Sequence, residues 1–402
     1  MTQPAAFMAD TGANAMRKTI ESILSLILLP ALAGCAPQGS MSSTMLEKTT
    51  VTVKREGNTV WIDGIKGFSP AEYASSPHGC QTRILQTLGE KISYDDLICW
   101  SGFAFRIEVH EQMCPSAGHP CCGFMCMEGS SNALPWRTSV YDSNPRAKPA
   151  EDRAAFESEI CMAIKASIDR GVPVHYGSEE DGLIIGYADD GQRWRCIHPY
   201  HKWGAEAFWH DEADGFAGGK WPWGIIVWTQ PKPAGKRASG RELTAAALKQ
   251  AVEMWNAEKR NAYFCGDAAY AHWLTWLKGV ESGKVADPKS GMQGNGWCFD
   301  VLIHSRRIAS RWLDQRASEF DAETAAQMRF AAEHYAQIAE TCMTDLMCPW
   351  DLALSPERFT NWNSPMRLNQ IARLESAREH DRSAIAAIRL AIETLEKASQ
   401  KR

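Results

Sequence analysis

The residues best suited to chemistry are a cysteine at a turn, Cys80, and three polar residues that fall near strand ends further along, His175, Asp181 and His198. Cys80 follows Pro77-His78-Gly79 and opens a run of helical period in which Ile84, Leu85 and Leu88 share one face and Gly89 offers a left-handed stop. That spacing predicts a short buried helix with the thiol in its first turn, where the positive end of the helix dipole would lower the pKa and raise the thiolate fraction. A small buried thiol, or half of a disulfide, fits the same spacing, and the readings stand side by side.

Around these residues the chain reads as α+β. Residues 50–54 and 59–62 are β-type runs around Glu56-Gly57-Asn58, a hairpin. Residues 71–74 are expected to form a short helical stretch leading to Cys80, and Ser93 to open a second helix. An amphipathic helix over 153–170 ends at Gly171 and precedes strands at 172–176, 183–187, 194–197 and 224–228, with Ala188-Asp189-Asp190-Gly191 turning between the second and third. Residues 230–240, rich in Pro, Gly and basic residues, form the expected boundary; beyond it nearly everything is helical, with a loop at 291–296. The organisation read from this is a signal segment 1–34, a tether 35–48, an α+β domain 49–230 and a helical domain 241–402.

The amino terminus carries a targeting pattern. Arg17 and Lys18 precede an apolar run and then Leu32-Ala33-Gly34-Cys35, a secretory signal with a small-residue cleavage site; Met1–Ala15 lacks any apolar run, so Met16 is the expected start. The apolar run is short for a permanent membrane span. Net charge of -5 argues against a nucleic-acid partner, which would select a clustered basic excess. Sixteen Trp imply an aromatic-rich core or groove.

Secretion makes pairing of the other cysteines possible, with connectivity open. Cys114, Cys121, Cys122 and Cys126 surround His119, a set whose donors suit zinc, although the adjacent Cys121-Cys122 pair breaks the usual spacing; disulfides or buried thiols are the alternatives. His201, His210, Asp211, Glu212 and Asp214 flank Trp209 as either a cation site or a solvated polar loop. His272 and His304 fall within helical patterns and read as structural. No phosphate loop, dinucleotide fingerprint or zincin motif is present, and no cofactor is expected.

Two resemblances follow from these residues. Leu-Ala-Gly-Cys resembles a bacterial lipoprotein signal, which implies cleavage before Cys35, lipidation of that cysteine, a partner in the lipid bilayer and, with Ala36 next, an outer-membrane protein facing the periplasm. The order Cys80, amphipathic helix, Gly171-Val172-Pro173-Val174, Gly186-Tyr187-Ala188-Asp189-Asp190-Gly191 and His198-Pro199-Tyr200 resembles papain-like proteins of the bacteriocin-leader peptidase and butirosin-biosynthesis-protein-H type, which are cysteine peptidases and acyltransferases. The resemblance implies a papain-like α+β half, Cys80 as nucleophile, His198 or else His175 as base, and Asp181 as orienter, in hydrolysis or acyl transfer through a thioester. It departs from the pattern in two places: His and Asp are exchanged between Asp181 and His198, and Ala74 stands where a Gln would donate to the oxyanion. The alternative is an inactive papain-like lipoprotein that binds a peptide or protein partner.

Overall fold

The computed structural model describes residues 51–142, 150–178, 180–211, 224–343 and 362–400. The signal segment, Cys35, the tether, residues 144–149 of the polar connector, Glu212, Asp214, Trp221, Trp223, Cys348, Pro349 and Pro356 lie outside the described residues.

The chain is α+β with a helical C-terminal half. Strands β1 (Thr52–Glu56) and β2 (Thr59–Asp63) pair antiparallel across Gly57, whose φ of 55° gives the turn its left-handed residue. Then come α1 (Ser76–Thr87), α2 (Tyr94–Trp100), β3 (Glu108–His110), α3 (Cys126–Ala133), β4 (Trp136–Asp142) and α4 (Ala150–Asp169). Four strands follow in succession, β5 (Val174–Gly177), β6 (Gly182–Ala188), β7 (Arg193–Ile197) and β8 (Phe208–Asp211), with β9 (Gly224–Pro231) after them. Helix α5 (Gly240–Asn256) leads to the small strands β10 (Lys259–Arg260) and β11 (Tyr263–Cys265), and α6 (Gly266–Glu281), α7 (Pro288–Ala317), α8 (Ala322–Met343) and α9 (Ser364–Gln400) complete the order.

The main sheet runs β1-β2-β6-β5-β9-β4, with β7 on β6 and β8 on β7, and its pairings are antiparallel. Strand β6 is the hub: all seven residues are buried, and alternate side chains enter different cores. On one face Ile184 packs with Ile160, Ile164 and Ile168 of α4; on the other, Leu183 and Ile185 pack with Cys80, Ile84 and Leu85 of α1. Helix α1 is thereby fixed against β5 and β6, the hairpin that carries His175 and Asp181.

The third and largest core joins Ile98, Phe103, Phe105 and Val109 to side chains of α5 through α9. The described residues belong to one compact unit, and the segment between β9 and α5, within the expected boundary at 230–240, holds a short 3-10 turn over Ala234–Lys236. Two buried charges cross this core. Arg306 on α7 makes two bonds to Asp381 on α9, at 2.8 and 2.9 Å, and donates to the Ala104 carbonyl at 2.7 Å, while Tyr270 donates to Asp381 at 2.6 Å.

Several elements differ from the sequence expectations, each for an identifiable reason. Residues 71–74 make one turn closed by Glu72 and Tyr73 on the Ser69 carbonyl, because Ser75 is extended to cap α1. The glycines of 291–296 lie within α7, where they permit close approach: a Cβ at Gly294 would fall 1.8 Å from the Met113 carbonyl oxygen. The segment around Trp209, one reading of which is a polar loop, contributes β8, since its backbone pairs with β7. Strand β4 has no counterpart in the sequence reading; Trp136-Arg137-Thr138-Ser139-Val140 carries β-type residues, and its place at the sheet edge comes from pairing with β9.

Candidate functional site

The site lies where the start of α1, the β5–β6 hairpin and the 114–126 loop meet. Helix α1 begins at Ser76, so Cys80 is its fifth residue and sits one turn inside, on the same face as Ser76. The expected first-turn position is corrected accordingly. Cys80 is fully enclosed in an apolar cluster with Phe68, Ile84, Leu183 and Trp228, and burial, followed by the charges of Asp181 and Glu180, pushes its thiol well above the ordinary cysteine value. That shift is opposite to the lowering expected of a helix-start thiol. No hydrogen bond joins Cys80 to His175, Asp181 or His198 among the described residues.

Ser76 occupies the helix-start position instead. Its hydroxyl donates to the Glu180 carboxylate and accepts from the Asp181 backbone N–H at 2.9 Å, so the hydroxyl proton is already engaged.

The imidazole and carboxylate chosen from sequence are brought together at His175 and Asp181. His175 Nε2 lies 2.6 Å from Asp181 Oδ2, a distance at which the ring nitrogen donates and the ionised carboxylate accepts. Burial alone would raise the Asp181 pKa, but His175 beside it holds the carboxyl below its usual range. His175 is completely buried, and its Nδ1 has no hydrogen-bond partner among the described residues. With the proton on Nε2, Nδ1 presents a bare lone pair, the arrangement a general base requires.

His198, expected first as the base, is placed otherwise. Its Nε2 donates to the Glu180 carbonyl at 3.2 Å and its Nδ1 accepts from the Tyr200 N–H at 3.3 Å, so both ring nitrogens are occupied. Its ring belongs to a row that runs outward: Tyr176 stacks on His198, His198 faces Tyr200, and Tyr200 faces Trp203. Tyr200 is 44% and Trp203 68% exposed, and Lys202 and Trp203 adopt left-handed φ of 46° and 54°, a costly conformation for side chains of this kind.

Two further histidines enter the site without a spacing signal in the sequence. His78 is held between Ser75 Oγ, 2.6 Å from Nδ1, and Ser101 Oγ, 3.0 Å from Nε2. Ser101 donates its only proton to the Ile98 carbonyl, so His78 donates from Nε2 and accepts at Nδ1; burial pushes its pKa down to about 3. His119 accepts the Cys121 N–H at Nδ1, 3.3 Å, which leaves the proton on Nε2, 4.0 Å from Asp181 Oδ1.

The 114–126 loop that carries His119 is fixed by a buried arginine. Arg106 donates to the carbonyls of Cys122, Phe124, Ala117 and His119 and pairs with Glu108 at 3.1 Å, while Glu108 also accepts the Phe124 N–H. Among the described residues no three His, Cys, Asp or Glu side chains converge as an ion site, and no disulfide joins the described cysteines to one another. His304 is structural, as its pattern suggests: Ser75 N–H donates to the Tyr94 hydroxyl, leaving Tyr94 to donate to His304 at 3.3 Å. His272 donates to the Glu111 carbonyl. Among the described residues no helix is long and apolar enough to cross a membrane.

Compared with protein-family models and with curated proteins, the chain matches none. What the site can do therefore rests on its own chemistry: an oriented imidazole whose Nδ1 lacks a hydrogen-bond partner among the described residues, a carboxylate beside it, and the enclosed Cys80 thiol on α1, which packs against the same hairpin.

Proposed function

We propose that this is a lipid-anchored, papain-like cysteine hydrolase or acyltransferase of the bacterial cell envelope, anchored through Cys35 and facing the periplasm from the outer membrane. The observation that carries the catalytic reading is the His175–Asp181 pair with its buried, unpartnered Nδ1. A buried ring nitrogen without a partner is costly, and such groups concentrate where a reaction uses them. Asp181 orients His175, and His175 Nδ1 takes the Cys80 proton as the sulfur attacks a carbonyl carbon. The C–S bond forms while the carbonyl π electrons move to oxygen; collapse expels the leaving group, which takes the proton back from His175. Water or an acceptor amine or hydroxyl then resolves the thioester. Tyr200 and Trp203 would support the acyl or peptide segment beside the reacting carbonyl.

A second reading has its own observation. Cys80 is enclosed and its thiol is raised, which suits a papain-like protein that keeps the fold, has lost the reaction, and binds a peptide or protein partner at the Tyr200–Trp203 row.

Labelling the folded protein with a thiol-directed acyl-mimetic electrophile, followed by peptide mapping, separates the two. The catalytic reading expects slow but specific modification of Cys80, absent in Cys80→Ala with circular dichroism unchanged. Modification of Cys80 only after denaturation would leave the binding reading.

A further inference from the structure

Away from the Cys80 site, two histidines face each other across the last two long helices. His334 on α8 and His380 on α9 lie with their Nδ1 atoms 2.9 Å apart and their ring centroids 5.2 Å apart. The helices run antiparallel there, since Arg373 on α9 donates to the Cys342 carbonyl near the end of α8. Ala331, Ile338, Ala377 and Ala384, about one turn to either side of the two histidines, are buried in the core that joins the helices, and both rings stand half-buried at its rim. The spacing is fixed from beneath. Tyr335 and Asp381, the residues that follow the two histidines, both meet Arg306: its guanidinium lies over the Tyr335 ring, 5.2 Å from the centroid, and bonds twice to Asp381. Phe330 flanks His334 edge-on at 4.7 Å.

We propose that His334 and His380 form a binding site for a divalent transition-metal ion of the copper(II) or nickel(II) type, bridging α8 and α9. Imidazole nitrogen suits these ions. Two neutral rings that face through Nδ1 hold one proton between two lone pairs, so one ring carries its hydrogen on Nδ1 and the other on Nε2. A cation takes that proton's place: the first ring exchanges its hydrogen from Nδ1 to Nε2 through solvent, no net proton is lost, and both Nδ1 lone pairs bind the ion. The separation selects the geometry. With metal–nitrogen bonds of about 2.0–2.1 Å, adjacent corners of a tetragonal site stand about 2.9 Å apart, whereas a tetrahedral site needs about 3.3–3.4 Å. The nitrogens keep their separation while each ring tilts to aim its lone pair at an ion beside the line that joins them. No third side chain converges there among the described residues, so water fills the remaining positions. Arg306 and the buried alanines hold the helices at this distance, and that preorganisation lets the second imidazole bind as an intramolecular ligand.

The test is a titration of the full chain with nickel(II), which thiols do not reduce, read by NMR of isotope-labelled histidine rings. Bound nickel(II) is paramagnetic and broadens the nearest rings most. The expected result is that His334 and His380 broaden together, ahead of the other histidines, and saturate at one equivalent per chain. His334→Gln and His380→Gln each leave a single imidazole and are each expected to bind nickel(II) roughly 10²-fold more weakly. Broadening that begins at other histidines, or at none, overturns the proposal and leaves the pair a hydrogen-bonded contact between helices; so does wild-type affinity in either variant. If a variant does not fold, the order of broadening in the wild-type chain decides. The readout involves neither Cys80 nor His175, so its result stands apart from the proposed reaction.

Discussion

Replacing Asp381 with alanine is expected to lower the unfolding free energy by about 3–5 kcal/mol, because it leaves the Arg306 guanidinium buried without its counter-charge. The pair is fully enclosed and doubly hydrogen-bonded, and it ties α9 to α7, while the same arginine reaches the Ala104 carbonyl beyond α2. Tyr270 loses its acceptor in the same change. Urea unfolding of the variant gives the number. The double change Arg306→Met with Asp381→Leu is expected to recover much of the loss, since it removes both charges and leaves apolar volume behind. A single-variant loss under about 1 kcal/mol, the scale of an exposed pair, would mean that water reaches the arginine.

The second large effect is a loss of stability in mild acid. Burial pushes His78 and His304 down to about 3, and it also lowers His119 and His198 from the ordinary histidine value. A histidine that holds its proton less tightly when folded contributes its full stability above the unfolded pKa of about 6.5 and loses it as the pH falls. For His78 and His304 the window runs from about 6.5 to about 3, and each pH unit within it costs up to about 1.4 kcal/mol per residue. The lowered Asp181 acts in a separate window, below the ordinary carboxylate value. The urea midpoint should therefore fall steeply between neutral pH and pH 5. Gln at position 304 can still accept from Tyr94 without titrating, so His304→Gln should flatten the slope; an equally steep slope in that variant would locate the acid sensitivity elsewhere.

Much of the fold was legible because local signals agreed with their surroundings. The hairpin at Gly57, the Gly89 and Gly171 stops with φ of 75° and 76°, and the helix start at Ser93 were legible as turn and cap chemistry, whereas the Ser239 capping box was not read. The errors arose where tertiary contact outweighs a local signal. Gly291 and Gly294 read as loop residues, yet they exist for contact with Trp276 and the Met113 backbone. Strand β8 lies in a segment read for its polar residues, yet Phe208 and Trp209 are β-type, Phe208 packs on the sheet core, and the backbone pairs with β7.

The site divides in the same way. His175 and Asp181 could be chosen because neighbouring strands carry them, and their register brings His175 opposite Leu183, two residues beyond Asp181. Choosing between His175 and His198 required the loop geometry that turns His198 toward the Glu180 carbonyl. The depth of Cys80 depended on a helix boundary four residues earlier than its apolar run suggested. His119 had drawn notice only as a neighbour of cysteines, and nothing in its spacing pointed to a carboxylate far along the chain.

The most direct measurement of the central claim is the rate at which p-nitrophenyl acetate acylates Cys80, followed by intact mass and peptide mapping, in wild type and in folded His175→Gln. If His175 is the base, the acetyl group appears on Cys80 and its rate falls by roughly 10²–10⁴-fold in the variant. Equal rates in the two proteins, or an acetyl group carried by the exposed Cys121 with Cys80 untouched, would contradict it.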